Sequence, residues 1–154
     1  MLKQLTRIAT VVGMLLYMGA ATAADIFSDA WMKDFKKAWN DESEITGPLA
    51  EIKFNSTICY GIKDEDNPKG CVVVENGNVT KAGAYSDEEA NWDLRATAEE
   101  WQNWMTNGIG KADLMLPGWA GGLKFEKGEY MEMMSSPSMW GPFVKSFAVM
   151  GKVK

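Results

Sequence analysis

The chain has 154 residues, with 21 acidic and 16 basic side chains, a formal net charge of −5 and no histidine. The lack of histidine excludes Ser-His and Cys-His nucleophile pairs, histidine metal sites and histidine general bases. The acidic balance repels phosphate backbones, which removes nucleic acid from the expected partners.

The chain opens with Lys3 and Arg7, followed by an apolar run from Ile8 to about Ala21. Ala21 and Ala23 are the small residues at −3 and −1 of a cut before Ala24. This is the layout of a secretory signal peptide over residues 1–23, and it predicts a periplasmic or secreted protein. An uncleaved anchor is the alternative, but the run is short for a span of ~20 residues. No later segment is apolar enough to cross a membrane, so no stable insertion is expected after cleavage. Loss of Lys3 and Arg7 takes the net charge from −5 to about −7. Residues 24–154 are expected to form a single domain, long enough for a real core.

The first predicted element of that domain is a helix. Ser28 stands at its cap position, and Phe27 with Met32 fits a hydrophobic staple. Trp31, Phe35, Ala38 and Trp39 fall on one face at helical spacing, with Lys33, Asp34, Lys36 and Lys37 opposite. Asn40 to Pro48 reads as a polar, turn-rich exit. Strands follow: "AEIKFNSTICYGIK" as one strand or two joined at Asn55-Ser56, then "CVVVE" and "NVTKAGAY" around the tight-turn pair Asn76-Gly77. In "NWDLRA", Trp92, Leu94 and Ala96 face one way, and Asp93 and Arg95 the other.

Thr97-Ala-Glu-Glu100 is a capping box, so a helix starts there, with Trp101, Trp104 and Met105 on one face and Asn107-Gly108 at its end. Ile109 to Gly122 is irregular and glycine-containing. "GLKFEKG" is a last strand, and "EYMEMMSS" a short helix or turn. "GPFVKSFAVMG" is a terminal helix with Pro142 at its first position and Phe143, Val144, Phe147 and Met150 on one stripe. Helices first, in the middle and last around a largely antiparallel sheet make an α+β domain.

An exported chain with two cysteines is expected to pair them. A hairpin centred near Glu65 puts Cys59 opposite Cys71; two buried free thiols are the alternative for a cytosolic chain. The other motifs are weak. "NGIGKA" follows a helix and lacks the hydroxyl residue of a phosphate loop, and "PGWAGG" misses the dinucleotide fingerprint. "DEDNP" lacks the spacing of a calcium loop and reads as a solvated hairpin tip. No carboxylate stands isolated in an apolar setting for acid-base work. No catalytic residue, metal site or cofactor is therefore assigned.

The chemical weight of the chain is apolar. It has eleven methionines and seven tryptophans. Met105, Met115, Met131, Met133, Met134, Met139 and Met150 are interleaved with Trp101, Trp104, Trp119, Tyr130, Trp140, Phe143 and Phe147. Methionine remoulds around varied shapes and aromatic rings form flat walls. Such a wall suits a lipid cavity of ~300–1,000 Å³. The same stripes, read at helical spacing alone, are ordinary core.

Elements from about Thr57 to Lys145 resemble the sterol carrier protein type 2 (SCP2-like) sterol-transfer family. The matching pieces are "CVVVENGNVTKAG", "NWDLRATAEEWQNWM", "LMLPGW", "GLKFEKG" and "EYMEMMSS". The resemblance implies a five-stranded sheet covered by helices around an apolar tunnel for sterols, fatty acids or acyl chains. Carried over, the ligand wall comprises Trp101, Trp104, Met105, Met115, Leu116, Trp119, Phe125, Tyr130, Met133 and Met134, with Phe143 and Phe147 as a lid. Two features depart from the family, whose members are mostly intracellular: the export signal and a Cys59–Cys71 bridge.

The expected function is non-enzymatic binding of a hydrophobic small molecule, with Asn103, Lys111 or Tyr130 at the mouth. The alternative is an exported accessory subunit whose apolar Met/Trp face docks on a partner enzyme. A lipid-modifying enzyme is the weakest reading, since no nucleophile-base pair can be named.

Overall fold

A computed structural model describes residues 26–154; the expected signal segment and its cut lie outside these described residues. Helix α1 spans Asp29–Asn40, and the Ser28 hydroxyl caps it by accepting from the Trp31 N–H at 3.3 Å. The staple forms, with Phe27 and Met32 both fully buried.

The expected polar exit is instead a second helix, α2, Ser43–Glu51. Gly47 and Pro48 disguise it, because both are poor helix formers. Ile45 and Leu49, one turn apart and buried, supply the tertiary packing that outweighs propensity. The first strand is accordingly shorter than expected.

The strands are β1 Ser56–Ile62, β2 Gly70–Glu75, β3 Asn78–Ala84, β4 Trp92–Ala96 and β5 Lys124–Lys127. They form one sheet in the order β3-β2-β1-β4-β5. All neighbours are antiparallel except β1 and β4, which run parallel. Asn76 and Gly77 both take positive φ, 48° and 82°, as the tight turn between β2 and β3 requires. Segment 85–91 then carries the chain from the β3 edge past β2 and β1 to β4. It is tied at both ends, by Tyr85 N–H to the Lys69 carbonyl at 2.8 Å and Asn91 N–H to the Thr57 carbonyl at 2.9 Å. Cys59 lies directly across from Cys71 in the β1–β2 register, and the two form a disulfide.

Helix α3, Ala98–Asn107, starts on the expected capping box. Thr97 Oγ1 accepts from Glu100 N–H at 3.1 Å, and Glu100 Oε2 accepts from Thr97 N–H at 2.8 Å. Short helix α4, Lys111–Met115, and a 3₁₀ turn, Gly118–Ala120, lead to β5. Helix α5 is Tyr130–Ser135 and α6 is Pro137–Met150. The terminal helix therefore begins five residues before the expected Pro142, with Pro137 at its first position. Pro142 is tolerated inside it, where its ring is buried against the apolar interior.

One face of the sheet presents Ile58, Tyr60, Val72, Val74, Leu94 and Ala96 to the helices. Helix α1 lies along β3, and α6 packs against α1, α2, α3 and α5. The opposite face holds the Asp93–Arg95 ion pair. Arg95 Nη2 donates to Asp93 Oδ2 at 3.0 Å, and Nη1 donates to the Glu65 carbonyl at 2.9 Å.

A candidate apolar binding cleft

The inward-facing positions of the two parallel strands form the floor of a cleft: Ile58 and Tyr60 from β1, Trp92 and Leu94 from β4. Trp39 of α1, Leu49 of α2 and Phe54 close one side. Met133 of α5 and Met139, Pro142, Phe143 and Ser146 of α6 close the other. The space inside it is about 40 Å³, enough for a few water molecules and far below the size of a lipid. Phe54, Trp92, Met139 and Phe143 are its half-buried members and mark the mouth.

No charged side chain lines this cleft. Its polar atoms are few and mostly engaged. Trp39 Nε1 donates to the Gly77 carbonyl at 3.0 Å, and Ser146 Oγ donates to the Phe143 carbonyl at 2.6 Å. Burial pushes the Tyr60 phenol far above its ordinary pKa, so it stays a neutral hydroxyl.

The expected wall residues fall into three groups. Met133 and Phe143 line the cleft, and Phe125 and Tyr130 extend its mouth. Trp92–Phe125, Phe125–Tyr130 and Phe125–Phe143 ring centroids are 6.1, 5.8 and 6.3 Å apart. Met134 is half-buried beside them. Trp101, Trp104 and Phe147 pack on one another at 5.7–6.0 Å and are closed off from solvent. Trp101 Nε1 also donates to the Gly61 carbonyl at 2.9 Å. These three and Met105 fill the space between α3, α6 and the sheet. The third group faces outward: Met115 is 73% exposed, Leu116 45% and Trp119 90%.

Of the expected mouth groups, Asn103 is exposed and bonds to Asn107, and the Lys111 ammonium sits 5.8 Å from the centre of the Trp140 ring. The lining residues not anticipated are chiefly on the strands (Ile58, Tyr60, Trp92, Leu94) and on α6 (Met139, Pro142, Ser146). Alternation marked Trp92 and Leu94 as one face of their strand, but not which helices cover it.

Among the described residues, no three of histidine, cysteine, aspartate and glutamate come together as a metal site. No described helix is long and apolar enough to cross a membrane.

Neither a family model nor a curated protein matches the chain. Solved structures do. The crystal structure of sterol carrier protein 2 superposes with a TM-score of 0.67 at 14% identity, covering 84% of this chain and 100% of that one. The solution structure of a conserved hypothetical protein from Thermus thermophilus, described as a candidate sterol carrier protein, gives 0.54 at 16% identity, covering 84% and 87%. With its sheet order, its covering helices and these superpositions, the chain has the SCP2-like fold.

Proposed function

We propose that the chain binds and carries a hydrophobic small molecule of lipid type, held between the β1–β4 floor and helices α2, α5 and α6. The observation that carries this reading is the cleft itself, an uncharged space lined by aliphatic, methionine and aromatic side chains inside the fold of a lipid carrier. Each Å² of apolar guest surface placed there contributes about 25 cal/mol.

Entry requires the cleft to grow several-fold, and α5 is the element built to allow it. Met133 is its only fully buried residue, and the chain turns into it at Gly128 (φ 98°), whose missing side chain leaves room for the Trp92 ring. Met133 and Met139 are unbranched, so they re-pack around a guest at little cost. Export is part of the proposal, supported by the leader-like N-terminus and by the disulfide, a bond favoured outside the cytosol.

Titration with the neutral fluorescent probe N-phenyl-1-naphthylamine tests the reading. One saturable site from which long-chain lipids displace the probe is expected. A linear, non-saturating signal contradicts it.

The second reading, docking on a partner protein, draws on the exposed Met115, Trp119 and Met131. A Met115→Ser/Trp119→Ser double variant separates the two. Unchanged probe binding with loss of a co-purifying partner favours docking.

A further inference from the structure

We infer that the cleft selects uncharged lipids and rejects those with anionic head groups. This rests on the lipid-binding reading and names the class of guest.

The residues that line the cleft carry no charge. Strand β1 carries no charged residue, and β4 turns its Asp93 and Arg95 to the opposite face, where they engage each other. Helix α1 contributes only Trp39. Its Lys33 is drawn to Asp29, and its Lys36 to the Thr80 carbonyl at the β3 edge. Helix α2 carries Glu44 and Glu51, and α5 carries Glu132. The one cation on α6 is Lys145, held by Glu44 and Glu42. With α1 included, the helical walls bear five carboxylates against four lysines, of which Lys33, Lys36 and Lys145 are already engaged, so they offer no excess of cations.

An anionic head group fails in either orientation. Pointed inward, it loses its hydration shell and finds no cation in exchange, a cost of several kcal/mol. Left at the mouth, it meets a chain of net charge −5, against which the exposed Lys53 beside Phe54 is a solvent-screened cation. A hydroxyl or ester suffers neither penalty, and the neutral Tyr60 phenol on the floor suits such a group.

The test uses a matched fluorescent pair, cis-parinaric acid and the corresponding alcohol, at pH 8 where the carboxyl is ionised. Affinities are normalised to the partition of each into neutral detergent micelles. The alcohol is expected to bind at least about tenfold tighter. A preference that survives high salt places the head inward; one that fades with salt places it at the mouth; both support the inference. In Met139→Lys, a cation at the half-buried mouth is expected to shift the acid-to-alcohol affinity ratio at least about fivefold toward the acid, whatever the loss common to both probes. Acid binding in the parent within about threefold of the alcohol, or tighter, overturns the selectivity and leaves the lipid reading intact. An acid-to-alcohol ratio unmoved by folded Met139→Lys also overturns it. Binding of neither probe overturns the lipid reading, and this inference with it.

Discussion

Replacing Met133 by alanine separates a hinged cover from an ordinary piece of core. Met133 is 2% exposed, and it is the one fully buried side chain of a six-residue helix whose other members are exposed or half-buried. Burying a methionine stabilises by about 1.5–3 kcal/mol. If α5 opens on its own, that energy belongs to the local opening equilibrium and not to global unfolding. The α5 amides of Met133→Ala then exchange roughly 10- to 100-fold faster, since each 1.4 kcal/mol is a factor of ten. Global stability from denaturant unfolding falls by less than about 1 kcal/mol, and lipid uptake accelerates. Hydrogen exchange resolved by residue, read beside a tryptophan-fluorescence unfolding curve, gives both numbers. A loss of about 2–3 kcal/mol in global stability with no selective change at α5 refutes the reasoning.

Three further outcomes are expected. Trp101→Ala removes the indole packed on Phe27, Tyr60, Trp104 and Phe147 and costs about 3–5 kcal/mol in denaturant unfolding; a loss below about 1 kcal/mol contradicts its place in the closed core. Reducing the Cys59–Cys71 bridge, whose partners are 12 residues apart, lowers stability by about 3 kcal/mol in the chain-entropy model, and an unchanged midpoint with reductant removes that contribution. Lys63→Met tests the Lys63–Glu100 pair, 2.7 Å apart and mostly shielded. Burial alone raises the Glu100 pKa, but the Lys63 hydrogen bond and the Thr97 N–H outweigh it and hold the carboxyl below its usual 4.5. The stabilisation is therefore present above 4.5 and lost as pH falls through the lowered folded value. The variant is weaker by about 1 kcal/mol at pH 7 and converges with the parent in strong acid; a deficit that persists there contradicts the assignment.

Local chemistry made much of the fold legible. The Asn76-Gly77 turn, the Thr97–Glu100 box and the Cys59–Cys71 register are each decided within a dozen or so residues, and each forms as expected. Helix α2 was hidden because its stability comes from the burial of Ile45 and Leu49 and from its packing on α6, which no local signal records. The parallel β1–β4 pairing was hidden for the same reason. It depends on where segment 85–91 sends the chain.

The site was legible only in part, because composition marks apolar residues without saying whether they meet. Trp101 and Trp119 look alike in sequence. A capped helix with an inward stripe buries the first, and a glycine-flanked 3₁₀ turn leaves the second 90% exposed. Tyr60 and Leu94, inconspicuous on their strands, become the floor once β1 and β4 lie side by side.

The account turns on whether the small cleft expands to hold a guest. Native mass spectrometry of the purified protein, followed by solvent extraction and identification of what is released, tests this most directly. The prediction is a mass excess matching one neutral lipid per chain, lost on extraction and restored by adding the lipid back. A bare polypeptide that stays bare after incubation with neutral lipids contradicts it.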